Sequence, residues 1–154
     1  MEFKFLQPNE TPMDLLLLAD PDESVVQEYL PQSKILAAIS EGNIEGIIVF
    51  LETSESKLEL MNIAVYPQYQ KKGIGSQLLK ESIQWALLHR FSSIELGTGT
   101  FGYQLAFYQK AGFRVDKILK DHFLNNYPAP IFELGIQHKD MLRLKLDLDN
   151  MAAQ

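Results

Sequence analysis

The first half of the chain consists of short apolar runs separated by turn residues, a pattern typical of antiparallel strands. Residues 34–40 and 44–53 are two such runs. The segment Glu41-Gly42-Asn43 between them favours a tight turn, because glycine and asparagine adopt positive φ readily. A third run covers residues 57–65 and ends before Pro67, since proline cannot donate a hydrogen bond to a strand ladder. The sequence therefore predicts a meander of three antiparallel strands.

Helical spacing replaces this pattern in the second half of the chain. Apolar residues recur every three or four positions over residues 75–89, which predicts a helix there. Residues 93–96 then predict a short strand, 103–111 a second helix and 113–119 a further strand, with Gly112 as the cap that ends the second helix. Counted from the 57–65 strand, the predicted order is strand, helix, strand, helix, strand.

The remaining segments complete the expected architecture. Residues 12–18 and 21–30 predict two short helices, each with a proline near its first turn. Residues 121–138 contain two prolines and little periodicity, whereas residues 140–148 alternate as a last strand with one polar face. A meander followed by helical crossovers indicates one α/β domain over residues 1–154, with a mixed central sheet flanked by helices.

Composition and charge restrict the classes of function. The 154 residues include 14 basic and 20 acidic side chains, and the net charge of -6 argues against nonspecific nucleic-acid binding. The chain has no cysteine, which excludes disulfides, thiolate metal sites and cysteine nucleophiles and favours a reducing, cytoplasmic setting. No apolar run approaches the roughly 20 residues that span a bilayer, and the start lacks a signal-peptide layout, so no membrane partner is expected.

One glycine-containing loop is a candidate anion site. Residues 69–76, Tyr-Gln-Lys-Lys-Gly-Ile-Gly-Ser, lie where the third strand gives way to the 75–89 helix. A helix start leaves about four backbone N–H groups unpaired, and Gly73 and Gly75 lack the β-carbons that would keep a ligand away from them. Lys71 and Lys72 add two positive charges in an otherwise acidic chain. The loop predicts a diphosphate site, while a plain turn with solvated lysines is the alternative.

A second glycine loop offers a competing interpretation. Residues 97–102 have the pattern G-x-G-x-x-G, follow a predicted strand and open a helix, and Asp121 lies at about the distance of a ribose-binding acid. Such a dinucleotide site needs parallel strands on both sides of the loop, whereas the preceding strands predict an antiparallel meander. A dinucleotide-binding protein that uses Gly97 to Gly102 is therefore the lesser alternative.

Three sequence elements then occur in a characteristic order. They are Leu60-Met61-Asn62-Ile63-Ala64-Val65-Tyr66-Pro67, Gln70-Lys71-Lys72-Gly73-Ile74-Gly75 and Ala106-Phe107-Tyr108-Gln109-Lys110-Ala111-Gly112-Phe113. At these spacings they resemble the GNAT superfamily of acyl-CoA-dependent N-acetyltransferases. The resemblance covers residues 34–119 well. It implies a GNAT-like single domain whose mostly antiparallel sheet contains a splayed strand pair, and whose cosubstrate is acetyl-CoA, with no metal.

The resemblance also implies which residues bind acetyl-CoA. The backbone amides of residues 70–75 would hold the pyrophosphate, and the backbone of residues 63–65 would pair with the pantetheine arm like an added strand. Thr98 lies in the loop where many relatives place an asparagine that contacts the pantetheine. The expected cofactor-binding residues are Ile63, Ala64, Val65, Gln70, Lys71, Lys72, Gly73, Ile74, Gly75, Ser76 and Thr98.

The reaction implied by the resemblance is direct attack of an amine on the thioester, which needs a neutral nucleophile and an acid for the departing sulfur. Tyr108 matches the tyrosine that protonates the thiolate in many relatives, with packing in the core as its alternative role. Glu59 is a candidate base acting through a water, or else a solvent-facing strand residue. His122 is a second candidate base. Asn62 is expected to orient the substrate or to hold the strand splay.

The acceptor is expected to be an amine-bearing small molecule or a peptide. Asp20, Asp22, Glu23 and Glu28 near the first two helices favour a cationic acceptor, although acids on a surface helix are usually just solvated. A noncatalytic acyl-CoA-binding module is the alternative from another functional class. Homodimers are common among similar proteins, and residues 140–148 are a strand that could pair with a second copy.

Overall fold

A computed structural model describes residues 1–152, which divide into two compact units between Ser92 and Ser93. The first unit contains an antiparallel ladder of four strands in chain order. They are β1 (Glu2–Leu6), β2 (Lys34–Ser40), β3 (Asn43–Ser54) and β4 (Lys57–Val65). The predicted three-stranded meander is confirmed. The sequence analysis missed β1, in which only Leu6 is buried and which is defined by its pairing with β2.

The tight turn between β2 and β3 is confirmed, with positive φ at Gly42 as expected, but the second residue of positive φ is Glu41 and not Asn43. Glu41 has φ 50° and Gly42 has φ 80°, and Ser40 pairs with Asn43 across them. Two consecutive residues of positive φ form the primed turn whose twist matches that of the flanking strands. Asn43 is therefore already the first residue of β3.

Three helices pack on this ladder. They are α1 (Met13–Ala19), α2 (Glu23–Tyr29) and α3 (Ile74–Leu88), with short 3₁₀ turns at Pro8–Glu10, Leu30–Gln32 and Pro67–Tyr69. All three helices were predicted from the sequence. The core around α1 and α2 contains Leu6, Leu15, Leu16, Val26, Tyr29, Leu30, Ile35, Ala37, Ile47, Val49 and Ala64. Helix α3 buries Ile74, Leu78, Leu79, Ser82, Ile83 and Ala86, which confirms its helical spacing.

A β-bulge interrupts the pairing of β3 with β4. Val49 lies opposite Asn62 whereas Phe50 lies opposite Leu60, so Met61 is an extra residue on β4. Because directly opposed residues share a sheet face, Asn62 lies on the same face as Val49, which belongs to the core around α1 and α2. The bulge therefore sets which face of the ladder each residue of β4 occupies.

The second unit contains an antiparallel ladder with β9 between β5 and β6. Its elements in chain order are β5 (Ser93–Gly99), α4 (Tyr103–Lys110), β6 (Arg114–Leu119), α5 (His122–Asn126), β7 (Phe132–Glu133), β8 (Ile136–Gln137), β9 (Met141–Asp147) and α6 (Leu148–Ala152). The expected alternation of strands and helices over residues 93–119 is confirmed. The expected domain boundary, one domain over residues 1–154, stays a prediction.

Residues 121–138, for which no element was predicted, contain α5 and the β7–β8 hairpin. Two expectations for this unit are wrong. Strand β5 extends to Gly99, so the predicted 97–102 loop shortens to three residues. Finally, β9 is paired along both edges, so the segment 140–148 has no free edge to offer a second copy.

Candidate active site

The loop before α3 exposes the amino end of that helix. Lys71 and Gly73 both have positive φ, 65° and 81°, and Gly73 is the residue that caps α3. Glycine has no side chain with which to cap the helix. The first donor to the helix is the amide of Gln77, 3.0 Å from the Gly73 carbonyl oxygen. The amides of residues 74–76 consequently precede the first helical hydrogen bond and face outward.

Charge and space in front of these amides suit an anion. Lys71, Lys72 and Gly73 are exposed, and a β-carbon built on Gly73 would meet nothing within 4 Å. The Lys72 ammonium lies 5.7 Å from the centre of the Tyr69 ring, a cation–π arrangement that holds it beside the loop. Open space, unpaired amides and two cations fit the diphosphate of a nucleotide cofactor.

Gln70 has a structural bond of its own. Its side-chain amide donates to the carbonyl oxygen of Val65 at 2.9 Å, which joins the loop to the last residue of β4. Ile63, Ala64 and Val65 thus lead directly into the loop, with Ala64 buried and the other two partly exposed. The sequence elements expected to bind pantetheine and pyrophosphate are therefore continuous in the structure of the first unit.

Asn62 connects β4 to both N-terminal helices. Its amide nitrogen donates to the Leu16 carbonyl oxygen at 2.9 Å and to the Tyr29 hydroxyl at 3.1 Å, and the side chain is only 3% exposed. Tyr29 is itself buried, which raises its pKa. Asn62 therefore fixes α1 and α2 against the strand, a contact that the sequence analysis did not anticipate. Its substrate-orienting role stays a prediction.

The two candidate bases lie in different settings. Glu59 is partly exposed on β4 opposite Leu51, whose side chain packs against the core around α1 and α2. It consequently faces the side of the ladder that carries those helices. His122 begins α5, with its ring 3.4 Å from the Asn126 amide nitrogen and in edge contact with Phe123.

Two of the acidic residues near α1 and α2 have local structural partners. The Asp22 carboxylate accepts a hydrogen bond from the Ser24 amide at 3.1 Å and from the Ser24 hydroxyl at 2.6 Å, which caps α2. The hydroxyl contact is the main cause of the lowered pKa of Asp22. Asp20 accepts from the Tyr29 hydroxyl at 3.4 Å. These contacts account for both carboxylates without an acceptor molecule.

Tyr108 lies in α4 with its ring in the core and its hydroxyl without a protein partner. The ring makes edge contacts with Phe107 at 5.2 Å and Phe113 at 5.7 Å, and the residue is 5% exposed. The hydroxyl forms no hydrogen bond within residues 1–152, although its oxygen is not fully enclosed. Burial raises the pKa of Tyr108 to about 12, so the phenol stays protonated at neutral pH.

The second glycine loop is not a dinucleotide site, so that alternative is wrong. Gly97 and Gly99 belong to β5, which runs antiparallel to its neighbour β9. A β-carbon on Gly99 would collide with the His138 ring, and one on Gly102 with the Glu133 carboxylate. The glycines therefore accommodate side chains of the chain itself, and a negative charge stands where a phosphate would have to bind. Thr98, the expected pantetheine contact, is buried in β5.

His138 and Glu133 form a pair that the sequence analysis missed. The imidazole Nε2 lies 2.9 Å from a Glu133 carboxylate oxygen, and the ring stacks on Phe101 at 4.2 Å. No local motif marks these residues, because they lie in a segment without periodicity. Within residues 1–152 no group of three or more potential ligand side chains is arranged to hold a metal. That part of the chain also contains no helix long and apolar enough to cross a bilayer.

Comparison with known proteins identifies the family. Residues 31–115 match the acetyltransferase (GNAT) domain family. The chain is 44% identical to the uncharacterized N-acetyltransferase YvbK of Bacillus subtilis. The alignment spans 143 residues and covers 92% of each chain. An IAA acetyltransferase structure from Bacillus cereus superimposes with a TM-score of 0.86 at 39% identity, over 95% of this chain and 98% of that one. The structure of a GNAT family acetyltransferase from Elizabethkingia anophelis with acetyl-CoA bound superimposes with a TM-score of 0.85 at 38% identity. That match covers 94% of this chain and 97% of that one.

The chain therefore belongs to the GNAT acetyltransferase family. It is an acetyltransferase that uses acetyl-CoA as the acetyl donor, which confirms the expected family, enzyme class and cosubstrate. The expected fold class, a mixed α/β fold with a mostly antiparallel sheet flanked by helices, is confirmed by the same structural matches.

Proposed function

We propose that the acetyl acceptor is a primary amine, that Glu59 accepts its proton through a water, and that Tyr108 is the general acid. The amine nitrogen bonds to the acetyl carbon, the carbon–sulfur bond breaks, and the phenol proton passes to the sulfur. The observation that carries this proposal is the Tyr108 hydroxyl, which is protonated and unpaired within residues 1–152 at the end of a buried ring.

The acidity of Tyr108 constrains how it acts. A free thiol has a pKa of about 8.5, roughly three units below that of this phenol, so proton transfer to a solvated thiolate would be uphill. A sulfur shielded from water has a raised pKa for the same reason that the phenol does. We therefore propose that Tyr108 donates a hydrogen bond to the sulfur and releases its proton as the carbon–sulfur bond breaks.

Acetyl-CoA is proposed to bind as the family resemblance implies. The amides at the start of α3 and the two lysines receive the diphosphate, and the end of β4 receives the pantetheine. Support comes from the positive φ of Gly73, the open space before it and the bond from Gln70 to Val65. The proposed residues are Ile63, Ala64, Val65, Gln70, Lys71, Lys72, Gly73, Ile74, Gly75, Ser76 and Thr98.

The proposal of an amine acceptor also draws on the similarity to YvbK, which is named an N-acetyltransferase. Small molecules and peptides are both retained as acceptor classes. The direct test is an acetyl-CoA consumption assay over a panel of polyamines, aminoglycosides, amino acids and peptide amino termini, with alcohols as the matched hydroxyl series. The proposal predicts N-acetylated products by mass spectrometry. Turnover with the alcohols alone would contradict it.

The base assignment has a matched control within the same unit. Glu59→Gln is expected to lower kcat by about a hundredfold, the usual contribution of a positioned base. Glu55→Gln changes an exposed turn carboxylate nearby in sequence and is expected to leave kcat unchanged. Equal kcat values for the two variants would show that another group is the base, and His122 would be the next residue to substitute.

Compartment and oligomeric state are proposed from fewer observations. The lack of cysteine in all 154 residues is consistent with a reducing cytoplasm. A homodimer is proposed to use a surface other than β9. Light scattering tests it, since a dimer has twice the 17.6 kDa mass of the chain, and a mass equal to one chain at micromolar concentration would contradict it.

A further inference from the structure

The turn between β5 and α4 is packed against the 131–138 hairpin, the segment formed by β7, β8 and one residue at each end. The hairpin is closed by a bond from the His138 amide to the Ile131 carbonyl oxygen at 2.8 Å. Its His138 ring lies against Gly99, and its Glu133 carboxylate lies against Gly102. A β-carbon on either glycine would collide with these side chains, so both side chains occupy space that any other residue would fill.

Phe101 completes this packing. Its ring is stacked on the His138 ring with centroids 4.2 Å apart and an angle of 8° between the planes. Phe123 of α5 lies 5.5 Å from the same imidazole. Three positions of the four-residue segment 99–102 therefore contact the imidazole or its carboxylate partner.

The environment of the imidazole argues against a role as a catalytic base. Nε2 lies 2.9 Å from the Glu133 carboxylate, and Nδ1 is fully enclosed without a partner within residues 1–152. A base needs one ring nitrogen within reach of the substrate or of a water. Neither nitrogen of His138 is placed for that.

The same environment indicates a role in positioning. An enclosed ring nitrogen without a partner costs stability, and a phenyl ring would stack on Phe101 without that cost. What a phenyl ring lacks is the bond to Glu133. The imidazole therefore links the stack on one side of the turn to the carboxylate that lies against Gly102 on the other.

We propose that His138 and Glu133 clamp the 99–102 turn and thereby position α4, so that the Tyr108 hydroxyl is held where it acts. The turn ends at Gly102, the residue that caps α4, and α4 begins at Tyr103. Any displacement of the turn is transmitted to Tyr108 five residues later in the same helix. This inference rests on the role proposed for Tyr108, and both clamp residues are positioning residues.

Four variants test the clamp. His138→Phe keeps the ring stack and removes the bond to Glu133, whereas His138→Gln offers a donor to Glu133 without the ring. Glu133→Ala removes the carboxylate that bonds to His138, and because that side chain is 41% exposed, folding is not at risk. Leu134→Asn is the matched control, because Leu134 lies in the same hairpin and its side chain is 81% exposed.

The expected result is a split between turnover and binding. His138→Phe and Glu133→Ala are expected to lower kcat at least about tenfold while the KM for acetyl-CoA changes less than about twofold, since only the acid is misplaced. His138→Gln is expected to recover part of the loss of kcat, and Leu134→Asn to match the parent in kcat and in KM. A fall in melting temperature with kcat unchanged would show a merely structural pair and overturn the proposal.

A second readout separates the clamp from the acid assignment. The phenolate absorbance of Tyr108 is isolated as the difference between each variant and the same variant carrying Tyr108→Phe. With the clamp broken, the titration of Tyr108 is expected to move from about pH 12 towards pH 10 as the ring becomes less buried. An unmoved titration overturns the clamp. If Tyr108→Phe alone leaves kcat intact, the proposed acid fails while this titration still decides the clamp.

Discussion

The substitution Tyr108→Phe tests both the chemistry and the environment proposed for this residue. It removes one hydroxyl, which has no hydrogen-bond partner within residues 1–152, and keeps the ring that packs against Phe107 and Phe113. At pH 7 the free energy of unfolding should therefore change little. Loss of a positioned general acid should lower kcat by about a hundredfold or more.

The same variant has a calculable effect on alkaline stability. An unfolded tyrosine has a pKa near 10, and burial raises the pKa of Tyr108 to about 12 in the folded protein. Between these values the unfolded chain binds fewer protons than the folded one, so stability falls as pH rises. The loss is absent below pH 10, about 1 kcal/mol at pH 11 and about 3 kcal/mol in full above pH 12. Phenylalanine removes this loss.

Three assays measure these effects. Steady-state kinetics with acetyl-CoA and the best amine of the panel give kcat, and equilibrium titration gives the affinity for coenzyme A, which should not change. Urea unfolding at pH 7, 9, 10 and 11 gives the stability difference between parent and variant. The expected curve shows equal stabilities up to pH 9 and a variant about 1 kcal/mol more stable at pH 11.

Each half of this prediction has its own contradicting result. An unchanged kcat would remove Tyr108 from the chemistry. Equal alkaline losses in parent and variant would mean that the phenol is not buried enough to resist ionisation, and the argument that it is protonated throughout the working range of the enzyme would fail.

Three further predictions concern single residues. Gly73→Ala and Gly42→Ala each place a side chain at nearly the same positive φ, with open space around it. Both should lower the free energy of unfolding in urea by about 1 kcal/mol. Only Gly73→Ala should weaken coenzyme A binding. Asn62→Ala should lower the free energy of unfolding by about 2 kcal/mol or more, because it leaves the Tyr29 hydroxyl without its buried donor. A loss below about 0.5 kcal/mol would refute the claim that Asn62 fixes the two helices against the strand. Leu134→Asn should raise the melting temperature by roughly 3 °C, since asparagine suits the φ of 55° that Leu134 adopts. A melting temperature below that of the parent would contradict this backbone conformation at Leu134.

The parts of the fold predicted from sequence are those set by local pattern. The meander and α3 follow from strand alternation and helical spacing, which each segment carries by itself. The candidate diphosphate loop was proposed in the same way, because a glycine pair at a helix start can be recognised in the sequence. The sequence does not show whether another part of the chain covers the backbone amides at the start of α3. In the structure the space in front of Gly73 is open.

The parts that were missed depend on partners distant in sequence. β1 is a strand because it pairs with β2, more than thirty residues later. Gly97 and Gly99 were assigned to a loop, since glycine usually interrupts strands, yet they sit in β5 where side chains from the segment after residue 137 pack against them. The stacking of the His138 ring on Phe101 was missed for the same reason. No spacing of residues in the sequence predicts an imidazole whose role depends on stacking with Phe101 and on a bond to Glu133.

The measurement that bears most directly on the central claim compares two ligands by calorimetry. Coenzyme A carries the diphosphate and pantetheine lacks it. If the start of α3 holds the diphosphate, the double variant Lys71→Glu and Lys72→Glu should lose at least about tenfold in affinity for coenzyme A and keep its affinity for pantetheine. Unchanged affinity for coenzyme A, or an equal loss for both ligands, would contradict the account.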